Sequence, residues 1–247
     1  MNKPLSKYSK TSDHHKVPYH AYEQGHEKVI IIAPGFYNSK EAVLMQDLAK
    51  SLNDQYDVMV VDFRGHGKAK GIFHWTSKEY LDLLAVIEEC QKRYKKIGLI
   101  GFSLGAATSI ITSSKTEHID SLIAISPPSE FEKIEYRWWE LNFDLDIGYS
   151  IFQEGRIGKG VRPGPFWLPK LKPKDLVQKL KLPVYYIHGT SDWLIKPWHS
   201  EDLFKRTGSE IKKIDIMKDW PHAEYMMKTH KDLFVSMVKN WFRETLK

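Results

Sequence analysis

The sequence predicts an α/β protein: a mostly parallel sheet with helices on both faces. Two observations carry this. Short apolar runs rich in β-branched residues recur along the 247-residue chain, and longer segments with helical apolar spacing separate them. Loops of Pro, Gly and Asp follow the runs, which is how a strand hands over to a crossover helix. The length fits one large domain, or a core domain with one insertion. A chain of this size buries about three quarters of the surface its unfolded form exposes, so its fold needs no staples.

The elements read in order as follows. Val17, Tyr19 and Ala21 alternate with polar neighbours and suggest a short N-terminal strand. Val29–Ala33 is a buried strand that stops at Pro34-Gly35. Ser39 opens a helix with Leu44, Leu48 and Leu52 at four-residue spacing. Val58–Val61 is the next strand, ending in Asp62-Phe63-Arg64-Gly65-His66-Gly67. Thr76 and Glu79 form a capping box, and Tyr80, Leu83, Leu84, Ile87 and Tyr94 stripe the helix behind it. Ile97–Phe102 and Leu122–Ile125 are strands, with the helix Leu104–Ser113 between them. Pro183–His188 and Ile211–Met217 are the last two strands. Thr229 starts a C-terminal helix that turns Phe234, Met237, Val238 and Trp241 inward.

One interval breaks the alternation. Between Pro127-Pro128 and about Pro173 there is no clean strand, and nine aromatic residues crowd into Phe131–Trp167. At the chain-wide aromatic share of 13%, those 37 positions would hold about five. That is too aromatic for a linker and too irregular for a βα unit. Residues 128–173 therefore read as an inserted cap, with Trp138, Trp139, Phe166 and Trp167 as candidates to line a cleft.

Composition excludes several classes. The single cysteine, Cys90, rules out an intrachain disulfide and any cysteine-based zinc site, and it falls near an apolar helical stripe, as an inert core thiol does. The 11 histidines never pair with other ligand types at a metal-like spacing, so no metal is expected. The formal charge of +6 comes from lysines spread along the chain, without the clustering that nucleic-acid recognition needs. No apolar run approaches the roughly 20 residues that span a bilayer. The first residues show no apolar leader, so a soluble cytoplasmic protein is the expectation. Residues 156–181 are strongly basic. An anion site at Arg156 and Arg162 is one reading of them, and a solvated face is the simpler one.

The chemistry lies elsewhere. Gly101-Phe102-Ser103-Leu104-Gly105 sits between a predicted strand and a predicted helix, the setting of a nucleophile elbow. A turn that tight exposes its central side chain, and bulk at 101 or 105 would strike the crossing backbone. A serine hydroxyl is a poor nucleophile until a base takes its proton, and that base needs a carboxylate to hold its tautomer. Asp192, in His188-Gly189-Thr190-Ser191-Asp192, and His222, in Trp220-Pro221-His222-Ala223-Glu224, each follow a predicted strand. They stand at the sheet edge that presents Ser103, where open α/β sheets place their sites. Glu224 either fixes the His222 loop or is solvated, and solvation is the simpler reading. His66, His74 and His188 read as loop or supporting residues.

With these motifs the chain resembles the α/β-hydrolase superfamily from about residue 28 to its end. It is most similar to small carboxylesterases and to the monoacylglycerol lipase and serine aminopeptidase-like group. Asp62-Phe63-Arg64-Gly65-His66-Gly67 matches that family's Asp-x-Arg-Gly-x-Gly loop, and His188-Gly189-x-x-Asp192 its acid loop. The resemblance implies a sheet of about eight strands and a Ser103, Asp192, His222 triad working through an acyl-enzyme without a cofactor. It also implies an oxyanion hole from the backbone N–H groups of Leu104 and Phe36. Pro34 stands where relatives carry His. The expected activity is hydrolysis of a small-molecule carboxylic ester. The same triad also serves thioesters, C–C bonds, amides and peptides, and a non-catalytic binding scaffold would usually have lost a triad member.

Overall fold

The computed structural model describes residues 3–135 and 158–247. Among them, strands β1 (Leu5–Lys10), β2 (Lys16–Tyr22), β3 (Lys28–Ala33), β4 (Asp57–Val61), β5 (Lys96–Phe102), β6 (Ser121–Ile125), β7 (Val184–Gly189) and β8 (Lys212–Met217) form one sheet. Its order is β1-β2-β4-β3-β5-β6-β7-β8. The β1–β2 and β2–β4 pairs are antiparallel, and every other pair is parallel. The α-helices among the described residues are α1 (Val43–Leu52), α2 (Glu79–Cys90), α3 (Leu104–Ser113), α4 (Pro173–Leu176), α5 (Trp198–Arg206), α6 (Met226–Thr229) and α7 (Lys231–Thr245).

The central strands read as unbroken apolar runs because both faces are covered. In β3, Ile30 and Ile32 face a core closed by Leu44, Leu48, Phe234 and Trp241 from α1 and α7. Val29, Ile31 and Ala33 face the opposite core, closed by Leu83, Val86 and Ile87 of α2, Ile110 of α3 and Leu203 of α5. Cys90 belongs to that second core, and burial pushes its thiol pKa up to about 12, so it stays a neutral, unreactive thiol.

The structure amends the sequence reading at several points. β1 and α5 were not anticipated. Helix α1 begins at Val43 rather than Ser39, and the C-terminal helix at Lys231 rather than Thr229. The capping box is half made. The Glu79 carboxylate accepts the Thr76 N–H at 2.8 Å, but the Thr76 hydroxyl donates to the Leu171 carbonyl and the helix starts only at Glu79. Burial raises the Glu79 pKa to about 7.

The Asp62–Gly67 loop is locked by charge. Asp62 accepts the Lys40 ammonium at 2.7 Å and the Lys68 N–H at 2.9 Å. Arg64 grips Asp82 through Nη2 and Nε at 2.7 and 3.0 Å, and reaches Asp13 at 2.8 Å. Asp82 is wholly buried. Deleting one partner of a buried pair strands the other charge, so Asp82→Ala is expected to cost about 3–5 kcal/mol, measured as a lower denaturant midpoint.

Candidate active site

Loops from the C-terminal ends of five parallel strands converge on one sheet edge. After β5 the chain turns within one residue: Ser103 has φ 51° and ψ −113°, a left-handed geometry that costs a residue with a Cβ about 1–2 kcal/mol. Close packing forces the turn. A Cβ on Gly105 would lie 2.1 Å from the Ala33 carbonyl oxygen, and one on Gly101 would lie 2.5 Å from the Ala106 Cα. The collisions expected from the sequence are therefore with the backbones of β3 and α3. The Ser103 N–H donates to the Ile125 carbonyl at 2.8 Å, which anchors the turn to β6 and leaves the side chain at the head of α3.

Asp192 lies in the loop after β7 and is wholly buried. One carboxylate oxygen, Oδ1, accepts the N–H groups of Leu194 and Ile195 at 3.0 and 2.8 Å. The other, Oδ2, lies 2.6 Å from His222 Nδ1 and 3.2 Å from His188 Nε2. Burial alone would raise the Asp192 pKa. The His222 charge and the hydrogen bonds from the two imidazoles outweigh it and hold the carboxyl below the usual range. His188, itself fully buried, is fixed by the Ser200 hydroxyl at Nδ1 (2.6 Å) and by the Ile195 carbonyl at Nε2 (2.7 Å). The Nε2 atom must donate to that carbonyl. His188 thus braces the Asp192 loop.

His222 follows β8 and is followed by Ala223, which is also left-handed at φ 44°. The Ala223 N–H donates to the Ser126 hydroxyl at 3.1 Å. His222 and Ser103 line one cleft of about 200 Å³ together with Gly35, Phe36, Tyr37, Asn38, Lys159, Trp193, Leu194, Glu224 and Tyr225. The loop after β3 presses onto the elbow, because a Cβ on Gly35 would lie 3.3 Å from the Phe102 carbonyl oxygen and 3.4 Å from Ser103 Cβ. Phe36 and Leu104 thereby flank Ser103 from β3 and α3. The Phe36 ring sits in an aromatic cluster, stacked on Trp75 at 6.0 Å and tilted against Phe73 at 5.6 Å. His66 joins this cluster edge-on, and burial lowers its pKa to about 4, so it is neutral.

Other expectations fare differently. Phe166 and Trp167 are 67% and 74% exposed and pack against each other, so they do not line the cleft; Trp193, Leu194 and Tyr225 do. Those three adjoin Asp192 and His222 in sequence, the one signal that pointed to them. Trp138, Trp139 and Arg156 lie outside the described residues. Arg162 spends its guanidinium on the carbonyls of Ala69 and Gly71, which leaves it poorly placed for an anion. Glu224 is not solvated: it is 4% exposed and accepts a hydrogen bond from the Asn38 amide.

A family model of the alpha/beta hydrolase fold matches residues 28–145. Among solved structures, the Pyrococcus furiosus esterase Pf2001 superposes with a TM-score of 0.80 at 24% identity, covering 99% of this chain and 92% of that one. Est1E of Butyrivibrio proteoclasticus, solved with ferulic acid, gives 0.70 at 20% identity, covering 97% and 98%. A thermophilic esterase of Thermogutta terrifontis, solved with malate, gives 0.73 at 15% identity, covering 98% and 100%. At these identities the likeness is one of fold.

Proposed function

On the α/β-hydrolase fold that this chain has, we propose a serine hydrolase that cleaves carboxylic esters of small molecules. The observation that carries the reading is the Asp192–His222 contact of 2.6 Å in a cleft shared with a serine on a strained strand-to-helix turn. Two of the structural neighbours are esterases, which supports the substrate class.

In this reading His222 Nδ1–H is held by Asp192, which leaves Nε2 to take the Ser103 proton as the hydroxyl attacks the acyl carbon. The N–H groups of Leu104 and Phe36 receive the oxyanion; among the described residues neither donates to another backbone carbonyl. The first turn of α3 adds its positive end. Protonated His222 then releases the alcohol, and neutral His222 activates water to free the acid.

The decisive experiment is labelling of the purified protein by a fluorophosphonate, with the modified residue mapped by mass spectrometry. Attachment at Ser103 supports the reading, and attachment elsewhere overturns it. Hydrolysis of a p-nitrophenyl ester, beside one matched thioester and one matched amide, then fixes the bond type.

The cleft walls predict acyl selectivity. Each buried methylene contributes about 0.8 kcal/mol, close to fourfold in rate when the contact is made in the transition state. From acetyl upward, kcat/KM is expected to climb by roughly that factor per carbon until about 200 Å³ is filled, then to level or fall. Trp193→Ala should flatten the series. Trp167→Ala should leave it unchanged, since that ring stands in solvent. A flat series in the parent protein would show that the aromatic walls do not receive the acyl chain.

A further inference from the structure

We propose that Glu224 and Asn38 form a strap that holds the loop of the base in register with the loop of the oxyanion donor, making both of them positioning residues. The proposal rests on the ester-hydrolase reading above. Glu224 stands two residues after His222, and Asn38 two residues after Phe36. They are 186 positions apart in the chain, yet the Asn38 Nδ2 amide donates to Glu224 Oε1. Both side chains are buried, at 4% and 5% exposure. The Lys159 ammonium donates to the Asn38 Oδ1 atom, so the amide can point only one way: oxygen to the cation, nitrogen to the carboxylate.

Three observations make this a device of the site and not only of the fold. First, Glu224 reaches the oxyanion loop directly: a Cβ on Gly35 would lie 3.8 Å from its Oε2 and 3.4 Å from Ser103 Cβ. The carboxylate, the elbow and the Phe36 loop meet at one point. Second, both joined loops hold a left-handed residue, Tyr37 at φ 70° and Ala223 at φ 44°. Such backbone persists only where contacts over-determine it. The Ser126 hydroxyl on Ala223 and the Gly160 N–H on the Tyr37 carbonyl, at 2.8 Å, are two of those contacts, and the strap is the one that joins the loops to each other. Third, a bare carboxylate so near a developing oxyanion would repel it. Here its charge is shared through the amide with the Lys159 ammonium, which offsets it.

The consequence is kinetic. Loss of the strap should let the Phe36 N–H drift relative to His222, and a misplacement of about 1 Å can cost roughly 10²-fold. Because the strap is proposed to act by setting the geometry of the transition state, the loss belongs in kcat. The test measures kcat and KM for p-nitrophenyl butyrate, the rate of fluorophosphonate inactivation and the thermal midpoint. The variants are Glu224→Ala, Glu224→Gln, Asn38→Leu and the double variant Glu224→Ala with Asn38→Leu. Glu224→Ala and Asn38→Leu should each lower kcat and the inactivation rate by about 10- to 100-fold with KM within about threefold. The double variant should be no worse than the poorer single one, because both remove the same contact. Glu224→Gln, whose carbonyl still accepts from Asn38, should recover most of the loss. Asn38→Leu keeps the shape of the side chain, so a folded variant is at hand if Glu224→Ala melts below the assay temperature. Single variants within threefold of the parent in kcat overturn the strap. So do losses confined to KM, additive losses in the double variant, or a Glu224→Gln protein as slow as Glu224→Ala. Each of these leaves the hydrolase reading standing, whereas a parent protein inert to the phosphonate overturns both.

Discussion

Ser103→Ala is expected to lower kcat/KM by at least about 10³-fold and to abolish phosphonate labelling while leaving the fold intact. The alanine keeps the Cβ and the backbone of the turn, including the 2.8 Å bond from the residue 103 N–H to the Ile125 carbonyl. What disappears is the hydroxyl, and with it the covalent intermediate of the proposed mechanism. Residual turnover should come from the oxyanion donors and substrate positioning alone. Circular dichroism and a thermal melt matching the parent, beside the lost burst of p-nitrophenol, complete the measurement. A Ser103→Ala protein within tenfold of the parent would mean that another nucleophile does the chemistry.

Asp192→Asn carries the second large effect, roughly 10⁴-fold in kcat by analogy with the best-studied triad. The surroundings of Asp192 show why. Four donors converge on its carboxylate: two backbone N–H groups, His188 Nε2 and His222 Nδ1. An amide in that place must turn its NH₂ toward one pair of donors. If its nitrogen faces the imidazoles, His222 is driven to the wrong tautomer; if it faces Leu194 and Ile195, the loop loses both anchors. Stability should therefore fall along with activity. Because Asp192 is held ionised well below neutral pH, it does not titrate over the range in which turnover is measured. The next candidate for the acid would be Asp219, which follows β8, is exposed and has its N–H on the Thr190 hydroxyl at 2.8 Å. An Asp192→Asn enzyme within a few-fold of the parent at neutral pH would move the role there.

What was legible in the sequence follows the reach of the physics. The elbow is a five-residue problem, so Gly101 and Gly105 announce it without knowledge of the rest of the chain. The central strands are legible because a run buried on both faces must be apolar throughout. β1 was not, because Leu5-Ser6-Lys7-Tyr8-Ser9-Lys10 is an edge strand, mostly exposed, whose stability comes from pairing with β2. α5 buries Leu203 in the apolar core, packs a partly exposed Phe204 against it and spends His199 and Ser200 on polar contacts, so its stripe is too thin to read. Glu224 was misread for another reason. A carboxylate is solvated by default, and the partner that overrides the default is 186 residues away.

The left-handed residues at the sheet edge have a consequence for how this protein can change. Tyr37, Ser103, Ser126 and Ala223 all have positive φ, and each sits in a loop that builds the cleft or braces it. At every one of them glycine would relieve backbone strain. The chain therefore holds tension at the positions on which its chemistry is read to depend, and robustness and turnover pull these codons in opposite directions. A population selected for heat resistance alone should drift toward glycine at these sites, whereas one selected for ester cleavage should keep the strained side chains and gain its stability in the helices behind the sheet.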